Sequence, residues 1–320
     1  MVAPTAILDI GSNTVRLFLN EAAAGHIPEG PRFSTVVALR RGAAPDGSLA
    51  AESLLRLDAC LADFGERAAD AGAHLGMAIG TSAVRDAPNR DAVALLVARH
   101  AGLPLTVISG AVEAELSFRG AAIAVDDTGP RLVVDVGGAS TEMVQGSAAA
   151  IDGSVSLQLG AVRCTEEYLQ GDPPTAGELD ALHRRLSDEI GDAAVGIKAR
   201  PPVIAVAGTA TTLASIDLGA YSPERVHAHR LSRDRVRELT DRLAGLPLSR
   251  RERVPGLQPQ RAPVIVAGAE IVVAILDAVG ADALTVSERD LLDGAALLAD
   301  RFATPIDRTM SAGSTEVASV

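Results

Sequence analysis

Residues 2–21, VAPTAILDIGSNTVRLFLNE, place an aspartate, Asp9, inside an apolar run with the composition of a buried β-strand. A second stretch, residues 130–146, PRLVVDVGGASTEMVQG, repeats this plan around Asp135. With an offset of 126 positions (135 − 9), AILDIGSNT aligns with LVVDVGGAS: three apolar residues, Asp, an apolar residue and Gly. The repeat predicts a chain of two halves built on one plan.

Each copy ends a strand at an aspartate and turns through glycine. Glycine allows close approach of the backbone, and such a turn can direct N–H groups towards an anion, so both hairpins are predicted to bind phosphate. Burying Asp9 or Asp135 alone is costly, but a divalent cation held between the carboxylate and phosphate oxygens offsets the lost hydration. The alternative is a plain β-hairpin in both places, duplicated by coincidence.

The composition predicts a globular protein with two cores. Its 320 residues are 48% hydrophobic, which is enough for two domains. The net charge of −12 disfavours nucleic acids and membrane surfaces as partners, and an anionic substrate then needs a locally basic site. No apolar run approaches the ~20 residues that cross a membrane, and no signal segment precedes the first strand, so a cytoplasmic location is expected. The two cysteines, Cys60 and Cys164, predict neither a disulfide framework nor a zinc site.

Apolar runs alternate with helical patterns along most of the chain, which predicts an α/β fold. The polar turn at residues 126–130 is the expected boundary between an N-terminal domain (residues 1–125) and a C-terminal domain (residues 126–304). Residues 305–320 are small and polar and are expected to form a disordered tail.

Six blocks of residues occur in the order and spacing of a known family. They are DIGSNTVRL, GTSAVRDAPN, ISGAVEAEL, DVGGASTE, LGAVRCTE and AGTATTL, spread over roughly residues 5–300. In these blocks the chain resembles the exopolyphosphatase and guanosine pentaphosphate phosphohydrolase (Ppx/GppA) family, within the superfamily of acetate and sugar kinases, heat-shock chaperones and actin. The resemblance implies two ribonuclease-H-like (actin-like ATPase) domains with a substrate cleft between them. The two-domain plan implies a hinge near residues 124–130 and again near the C-terminal helix. In the family, the helix that corresponds to residues 290–303 can pack back onto the first domain, and members are often homodimers, so a homodimer is expected.

The resemblance implies a catalytic role for Glu113, Arg85 and Asp135. Glu113 matches the family's general base, which orients or deprotonates the attacking water, and Arg85 matches an arginine near the reacting phosphate. From the residues alone, Glu113 reads as a solvated glutamate in the first turn of a helix, and Arg85 as a loop arginine paired with Asp86. The family usually has two adjacent acids here, whereas Val112 precedes Glu113, so Glu115 is an alternative base.

The phosphate-binding residues implied by the resemblance come from three places in the chain. The third place is a strand-to-helix junction whose N–H groups suit an anion, although an ordinary connection has the same pattern. The family commonly has three consecutive glycines where this chain ends on Ala139, which predicts an altered second loop and weaker binding. The predicted set is Gly11, Ser12, Asn13, Arg16, Gly137, Gly138, Ala139, Ser140, Gly208 and Thr209.

A divalent cation, Mg²⁺ or another such as Mn²⁺, is expected with the phosphate. Its predicted ligands are Asp9, Asp135 and Glu142, for which the alternative is a set of ordinary turn and surface acids. A separate basic run, LSRRERVPGLQPQRAP, contributes Arg250, Arg251, Arg253 and Arg261. This run could guide a long polyanion to the cleft or form a solvated loop.

Together these features predict an exopolyphosphatase that removes the terminal phosphate of inorganic polyphosphate. Guanosine pentaphosphate, with guanosine tetraphosphate as its product, is the alternative substrate. Two other classes stay open: an ATP-dependent small-molecule kinase, and a non-catalytic sensor of polyphosphate or guanosine alarmone. Many longer relatives carry an extra helical region after the point where the pattern ends here, near Phe302, so a preference for shorter chains is a further hypothesis.

Overall fold

The computed structural model describes residues 3–23, 26–123, 129–147, 149–197 and 202–298. The predicted boundary between residues 125 and 126, most of the predicted hinge, the end of the predicted last helix and the predicted tail lie outside the described residues. Within the described ranges, no helix is both long and apolar enough to cross a membrane.

The first part of the chain forms a mixed sheet with helices on its faces. Its elements are Thr5–Ile10 (β1), Thr14–Asn20 (β2), Arg32–Val36 (β3), Ala51–Asp70 (α1), His74–Gly80 (β4), Ser82–Asp86 (α2), Arg90–Ala101 (α3), Leu105–Val107 (β5) and Gly110–Ala122 (α4). The strand order is β3-β2-β1-β4-β5. The pairs β1/β2 and β2/β3 are antiparallel, whereas β1/β4 and β4/β5 are parallel.

The second part forms another mixed sheet. Its elements are Arg131–Val136 (β6), Thr141–Gly146 (β7), Ile151–Leu157 (β8), Ala161–Tyr168 (α5), Ala176–Ala194 (α6), Val203–Val206 (β9), Ala207–Leu218 (α7), Pro223–Val226 (α8), Arg230–Ser232 (β10), Arg233–Ala244 (α9), Leu248–Arg251 (α10), the 3₁₀ helix Pro259–Arg261, Ile265–Ala278 (α11), Ala283–Val286 (β11) and Leu291–Leu297 (α12). The strand order is β10-β11-β9-β6-β7-β8.

The two sheets share one plan. In each, the first strand pairs with an antiparallel hairpin partner on one side and with a parallel strand on the other. The offset of 126 extends through both turns, because the N–H of Gly11 donates to the carbonyl of Thr14 (3.1 Å) and that of Gly137 to the carbonyl of Ser140 (3.0 Å). The predicted α/β fold class, with two related sheets and a cleft between them, is confirmed.

Strand periodicity directs both aspartates to the same helix. On β1, Ala6, Leu8 and Ile10 join the core under α1 and α3, so Ile7 and Asp9 face the other way. On β6, Val133 packs against α4, and Asp135 shares the face of Val133. Helix α4 therefore lies between the sheets, on the faces that carry the two aspartates.

Helix α4 is apolar on two sides because it contacts both sheets. Leu116 packs with Ile7 and Phe18 of the first sheet, whereas Ala114 and Phe118 pack with the second. Burying a leucine completely contributes about 2–3 kcal/mol, so these contacts hold the helix axis in the cleft. The N-cap Ser109 accepts a hydrogen bond from the N–H of Val112 and begins the helix at the edge of the cavity described below.

Helix α12 follows the second sheet but packs against α4 and β1 of the first part. Glycines permit the approach: a Cβ on Gly120 would overlap the carbonyl of Asp290, and a Cβ on Gly294 would overlap the carbonyl of Leu116. Leu291 joins the core of Ile7 and Leu116. The last described helix thus ties the two sheets together behind the site.

Asn89 fixes a loop and does not cap its own helix. Asn89 stands at the N-cap position of α3, but its side chain makes no capping hydrogen bond. Instead its amide accepts from the N–H of Leu49 (2.9 Å) and donates to the carbonyl of Leu49 (3.0 Å), which fixes the loop before α1.

Candidate active site

The two glycine hairpins meet at a cavity of about 330 Å³ between the sheets. Of the predicted site residues, the cavity is lined by Asp9, Gly11, Ser12, Asn13, Arg16, Glu113, Asp135, Gly137, Gly138, Ala139, Ser140, Gly208 and Thr209. Arg85 and Glu142 do not line it. Each instead contacts a residue that does, since Arg85 pairs with Glu113 and Glu142 lies opposite Asp135 in the β6/β7 register.

The hairpins face one another at close range. A Cβ on Gly138 would lie 2.8 Å from the Cβ of Ser12 and 3.2 Å from the backbone nitrogen of Asn13. Any side chain at Gly138 would therefore push the two turns apart. The close approach explains why this position carries glycine although its φ is not positive.

The carbonyl groups of both turns are hydrogen-bonded within the protein. In the first turn, the carbonyls of Ser12 and Asn13 accept from the N–H groups of Arg40 (3.1 Å) and Ala38 (2.8 Å). In the second, the carbonyl of Gly138 accepts from Val162 and Arg163 at the start of α5 (2.8 and 3.0 Å). With their carbonyls bound, the turns can present N–H groups to an anion without competing negative dipoles.

Ala139 is accommodated without strain. It is fully buried, and its φ is not positive, so a methyl group costs the backbone nothing here. Its carbonyl accepts from Nε of Arg163 at 2.8 Å. No backbone distortion therefore arises from alanine at the position of the family's third glycine.

Asp9 and Arg16 lie opposite each other on β1 and β2 and form an ion pair. Nε and Nη2 of Arg16 both donate to one oxygen of Asp9, at 2.9 and 2.7 Å. The other oxygen, Oδ1, is buried without a hydrogen-bond partner among the described residues. Burial raises the pKa of Asp9 although Arg16 opposes the shift. A cation bound to this oxygen would supply the partner that it lacks.

Arg16 also binds a residue that the sequence analysis missed. Its Nη1 donates to Asp290, which caps α12 by accepting from the N–H of Leu292 (3.0 Å). Burial lowers the pKa of Arg16, but Asp290 and Asp9 more than offset this effect and leave it above its ordinary value. A carboxylate at a helix start is already explained by capping, so no pattern in the sequence singled out Asp290.

Glu113 is buried in the first turn of α4, beside Arg85. Nη1 of Arg85 donates to Oε2 of Glu113 (3.1 Å) and to the carbonyl of Ile108 (2.8 Å). Burial raises the pKa of Glu113 to about 7; Arg85 opposes the rise and Asp135 adds to it. A carboxyl with a pKa near neutrality, beside the two glycine hairpins, has the properties of a general base.

The alternative base, Glu115, lies elsewhere. It forms an ion pair with Arg119 at 2.8 Å, one turn along the exposed side of α4. It is absent from the cavity wall. A residue two positions along a helix points in a different direction, which explains the separation.

The second hairpin has the opposite charge pattern to the first. Glu142 occupies the position that Arg16 holds in the first hairpin, so Asp135 faces a carboxylate across the ladder. Burial raises the pKa of Asp135 to about 6, opposed by the hydroxyl of Ser117, which donates at 2.7 Å. Burial and Glu113 also raise the pKa of Glu142 well above its ordinary value. Arg16 of the first hairpin also lowers the pKa of Asp135, but no arginine stands opposite Asp135 on its own hairpin.

The start of α7 forms a third wall of the cavity. Gly208 packs against the guanidinium of Arg261, leaving no room for a Cβ. The hydroxyl of Thr209 donates to the carbonyl of Val136 at 3.1 Å, which links this helix to the end of β6. Burial, and then Arg16, lower the pKa of Arg261. The helix N-terminus and a half-buried guanidinium thus face the cavity together.

The basic run does not act as one patch. Arg250 and Arg253 are exposed, but Arg251 is buried and donates to the carbonyls of Ala262 (3.0 Å) and Leu246 (2.9 Å). Of the four arginines of the run, only Arg261 lines the cavity. The sequence suggests one basic surface, because the order of residues does not show that a helical turn separates these arginines in space.

Other acidic and basic groups at the cavity also escaped the sequence analysis. Arg32 binds the fully buried Asp293 at 2.6 and 3.0 Å and lies 4.0 Å from the ring of Phe18. Burial and Asp290 raise the pKa of Glu288 to about 7, and Tyr221 donates to it at 3.3 Å. Asp293 lies on α12 and Glu288 lies just before it, and this part of the chain reaches the site only when the protein is folded.

Among the described residues, no group of three or more His, Cys, Asp or Glu is arranged to hold a metal ion by itself. Asp9, Asp135 and Glu142 therefore do not form a ready three-carboxylate centre. Mg²⁺ commonly binds proteins through one or two carboxylates, with water and phosphate oxygens completing its shell. The unpartnered Oδ1 of Asp9 and the cation-poor pair of Asp135 and Glu142 fit that mode.

Comparison with known proteins identifies the family. Residues 21–298 match the model of the Ppx/GppA phosphatase family, and the chain belongs to this family. It is 35% identical to exopolyphosphatase 2 of Mycobacterium tuberculosis over 91% of this chain and 97% of that protein.

Solved structures agree with this assignment. The Aquifex aeolicus member of the family superposes with a TM-score of 0.77 at 27% identity, covering 96% of this chain and 99% of the other. An exopolyphosphatase from Cytophaga hutchinsonii superposes with a TM-score of 0.86 at 25% identity, covering 93% and 98%. The family resemblance predicted from the six blocks is confirmed.

Proposed function

We propose that this protein is an exopolyphosphatase, a hydrolase that releases the terminal phosphate of inorganic polyphosphate. Its relative in Mycobacterium tuberculosis bears that name and aligns over nearly the full length of both chains. The observation that carries the proposal is the placement of Glu113, a buried carboxyl with a pKa of about 7, at a cavity shared by two phosphate-type hairpins.

In this proposal the hairpins hold the end of the phosphate chain. The N–H groups of Gly11 and Gly137 close the two turns, which leaves the backbone N–H groups of residues 12–13 and 138–140 to bind phosphate oxygens from two sides. The start of α7 with Arg261 binds the chain further along. Glu113 accepts the proton of a water that attacks the terminal phosphorus. Arg85 keeps the Glu113 carboxylate in place and adds positive charge beside the developing negative charge.

The proposal includes a divalent cation, Mg²⁺ or Mn²⁺. Asp9 through Oδ1 and Asp135, with Glu142 beside it, would hold the ion directly or through its waters. The ion would supply positive charge to phosphate oxygens in a cavity that is otherwise rich in carboxylates. Without it, Arg16 is largely occupied by Asp9 and Asp290 and offers little free charge to a polyanion.

The substrate test is phosphate release from short and long polyphosphate and from guanosine pentaphosphate, with Mg²⁺ or with a chelator. The expected result is release of phosphate from polyphosphate that the chelator abolishes. A higher kcat/KM for guanosine pentaphosphate would select the alternative substrate. Consumption of ATP only with an acceptor would select a kinase, and tight polyphosphate binding without turnover would select a sensor.

A homodimer and a cytoplasmic location are also proposed, from the family resemblance and from the sequence. Sedimentation at several protein concentrations measures the first, and fractionation of cells expressing the protein measures the second. A monomer at all concentrations would remove the dimer.

A further inference from the structure

The block LGAVRCTE has a role in the fold that the proposed chemistry does not use. Its arginine, Arg163 on α5, touches both parts of the chain. Nε donates to the carbonyl of Ala139 in the second hairpin (2.8 Å), and Nη2 donates to Asp86 of α2 (3.2 Å) and to Gln158 (2.7 Å). One guanidinium therefore joins a phosphate hairpin of the second sheet to a helix of the first.

A second ion pair runs beside the first with its charges reversed. Glu166, three residues after Arg163 and therefore on the same side of α5, pairs with Arg40 at 3.5 Å. Helix α5 thus contributes Arg163 and Glu166. The first part of the chain contributes the oppositely charged partners, Asp86 and Arg40. Together the two pairs favour relative placements of the two parts in which both can form.

The two arginines also support the hairpins through their backbones. The N–H of Arg40 donates to the carbonyl of Ser12 in the first hairpin (3.1 Å), and the N–H of Arg163 donates to the carbonyl of Gly138 in the second (3.0 Å). These are the residues in contact where the hairpins meet. Each ion pair across the cleft therefore includes an arginine whose backbone N–H also binds a hairpin: Arg40 binds the first and Arg163 binds the second.

We infer that Arg163 is a positioning residue for the phosphate site, and that its bridge to Asp86, with the Arg40–Glu166 bridge, forms a latch that sets the spacing of the two hairpins. The latch ties the second hairpin to α2, which carries Arg85 next to Asp86. Because the four side chains are partly exposed, each bridge is weak by itself, and the latch can open for substrate exchange.

The kinetic test rests on the proposed function. For Arg163→Gln we expect KM for polyphosphate to rise about tenfold with kcat changed by less than about threefold, since the variant loses substrate placement and retains Glu113. Arg163→Lys keeps the charge but cannot make both contacts, and it is expected to behave like Arg163→Gln. A KM equal to that of the wild type in both variants would overturn the latch.

A double-mutant cycle separates the latch from a local effect on Arg85. If Asp86 and Arg163 act through their mutual bridge, the variant Asp86→Asn/Arg163→Gln has the KM of the more affected single variant within about twofold. A KM equal to the product of the two single effects would mean that Asp86 acts independently, and would overturn the inference. The matched control is the partly exposed pair Arg185–Glu189 on α6 (2.6 Å), where Arg185→Gln should leave KM unchanged.

A structural readout keeps the two proposals distinguishable. By small-angle X-ray scattering, Arg163→Gln/Glu166→Gln is expected to have a larger radius of gyration than the wild type, while Arg185→Gln/Glu189→Gln matches it. If the wild type releases no phosphate from any polyphosphate, the proposed function fails, and this measurement still decides the latch. An unchanged radius in the first double variant would overturn it.

Discussion

Glu113 lies in an environment that a glutamate in a first helical turn seldom has. Surface glutamates at this position are hydrated and stabilised by the helix dipole. Here the side chain is buried, with 10% of its surface exposed, and Asp135 acts on it electrostatically. The charged form is disfavoured by burial and by that neighbour, which gives the carboxyl a pKa suited to proton transfer at neutral pH.

The base assignment predicts a large effect from one oxygen-for-nitrogen change. Glu113→Gln keeps the shape of the side chain but cannot accept the proton of water, so kcat should fall by about a hundred- to ten-thousandfold. Binding of polyphosphate, measured by calorimetry, should be retained. Glu115→Gln is the control, because that residue pairs with Arg119 outside the cavity, and its kcat should stay within about twofold of wild type. Equal turnover by Glu113→Gln and wild type would remove Glu113 from the mechanism.

The raised pKa of Glu113 also predicts how stability changes with pH. Between its ordinary value of 4.5 and about 7, the folded protein holds a proton that the unfolded chain has released, so this group lowers stability as pH rises through that window. At about 1.4 kcal/mol per pKa unit, the effect reaches up to about 3 kcal/mol. Glu113→Gln has no such titration. In urea unfolding with a chelator present, the free energy of unfolding of the variant should therefore rise relative to that of the wild type between pH 5 and pH 8. A constant difference between the two proteins would contradict the assignment.

At the scale of elements, the two hairpins have equivalent backbones and opposite charge patterns. The four-residue turns close with the same hydrogen bond, yet Arg16 faces Asp9 in one and Glu142 faces Asp135 in the other. The duplication therefore supplies two turns of the same backbone geometry without supplying two identical sites. The first hairpin has a cation, Arg16, opposite its aspartate, whereas the second has another carboxylate there.

The contact between the hairpins predicts that Gly138 controls substrate affinity. A methyl group in Gly138→Ala would meet Ser12 and Asn13 inside normal contact distance, so the turns must separate. KM for polyphosphate should rise about tenfold, because the phosphate oxygens lose donors from one side. Gly153→Ala on β8 is the control, since a methyl group there meets nothing within 4 Å. Steady-state kinetics of both variants decide the point, and an unaltered KM in Gly138→Ala would show that the turns are not jointly used.

At the scale of the whole molecule, the last described helix completes a site that begins with the first strand. Helix α12 packs on α4 and brings Asp290 to Arg16, which is 274 residues away in sequence. The same helix buries Asp293 against Arg32 of β3. The cavity thus has a wall that belongs to neither hairpin, and its geometry depends on how α12 sits on α4.

That packing predicts a loss of both stability and activity from one methyl group. In Gly294→Ala the new Cβ overlaps the backbone of Leu116, which cannot move away as a flexible side chain could. The free energy of unfolding should fall by about 1–3 kcal/mol, and kcat/KM should fall as Asp290 shifts. Gly191→Ala in α6, where a methyl group has open space, should be neutral or stabilise by about 0.5–1 kcal/mol. Denaturant unfolding and kinetics well below the transition measure both effects, and wild-type stability in Gly294→Ala would refute the packing argument.

The sequence alone was sufficient for the features that depend on local pattern. Strand periodicity and glycine turns around Asp9 and Asp135 predicted two halves on one plan, and the six blocks predicted the family. These succeed because alternation and turn chemistry depend on residues a few positions apart. Short strands without such a pattern, β3, β10 and β11, were not predicted, because pairing with neighbouring strands rather than local preference forms them.

The tertiary structure decided what depends on distant parts of the chain. The pairing of Arg16 with Asp290, the position of α4 between two sheets, and the burial that raises the pKa of Glu113 all require elements far apart in sequence to pack together. Desolvation and charge at a site are sums over everything that surrounds it. A linear pattern indicates which side chains are present, and only the packed molecule determines which of them lose their water and which charges they meet.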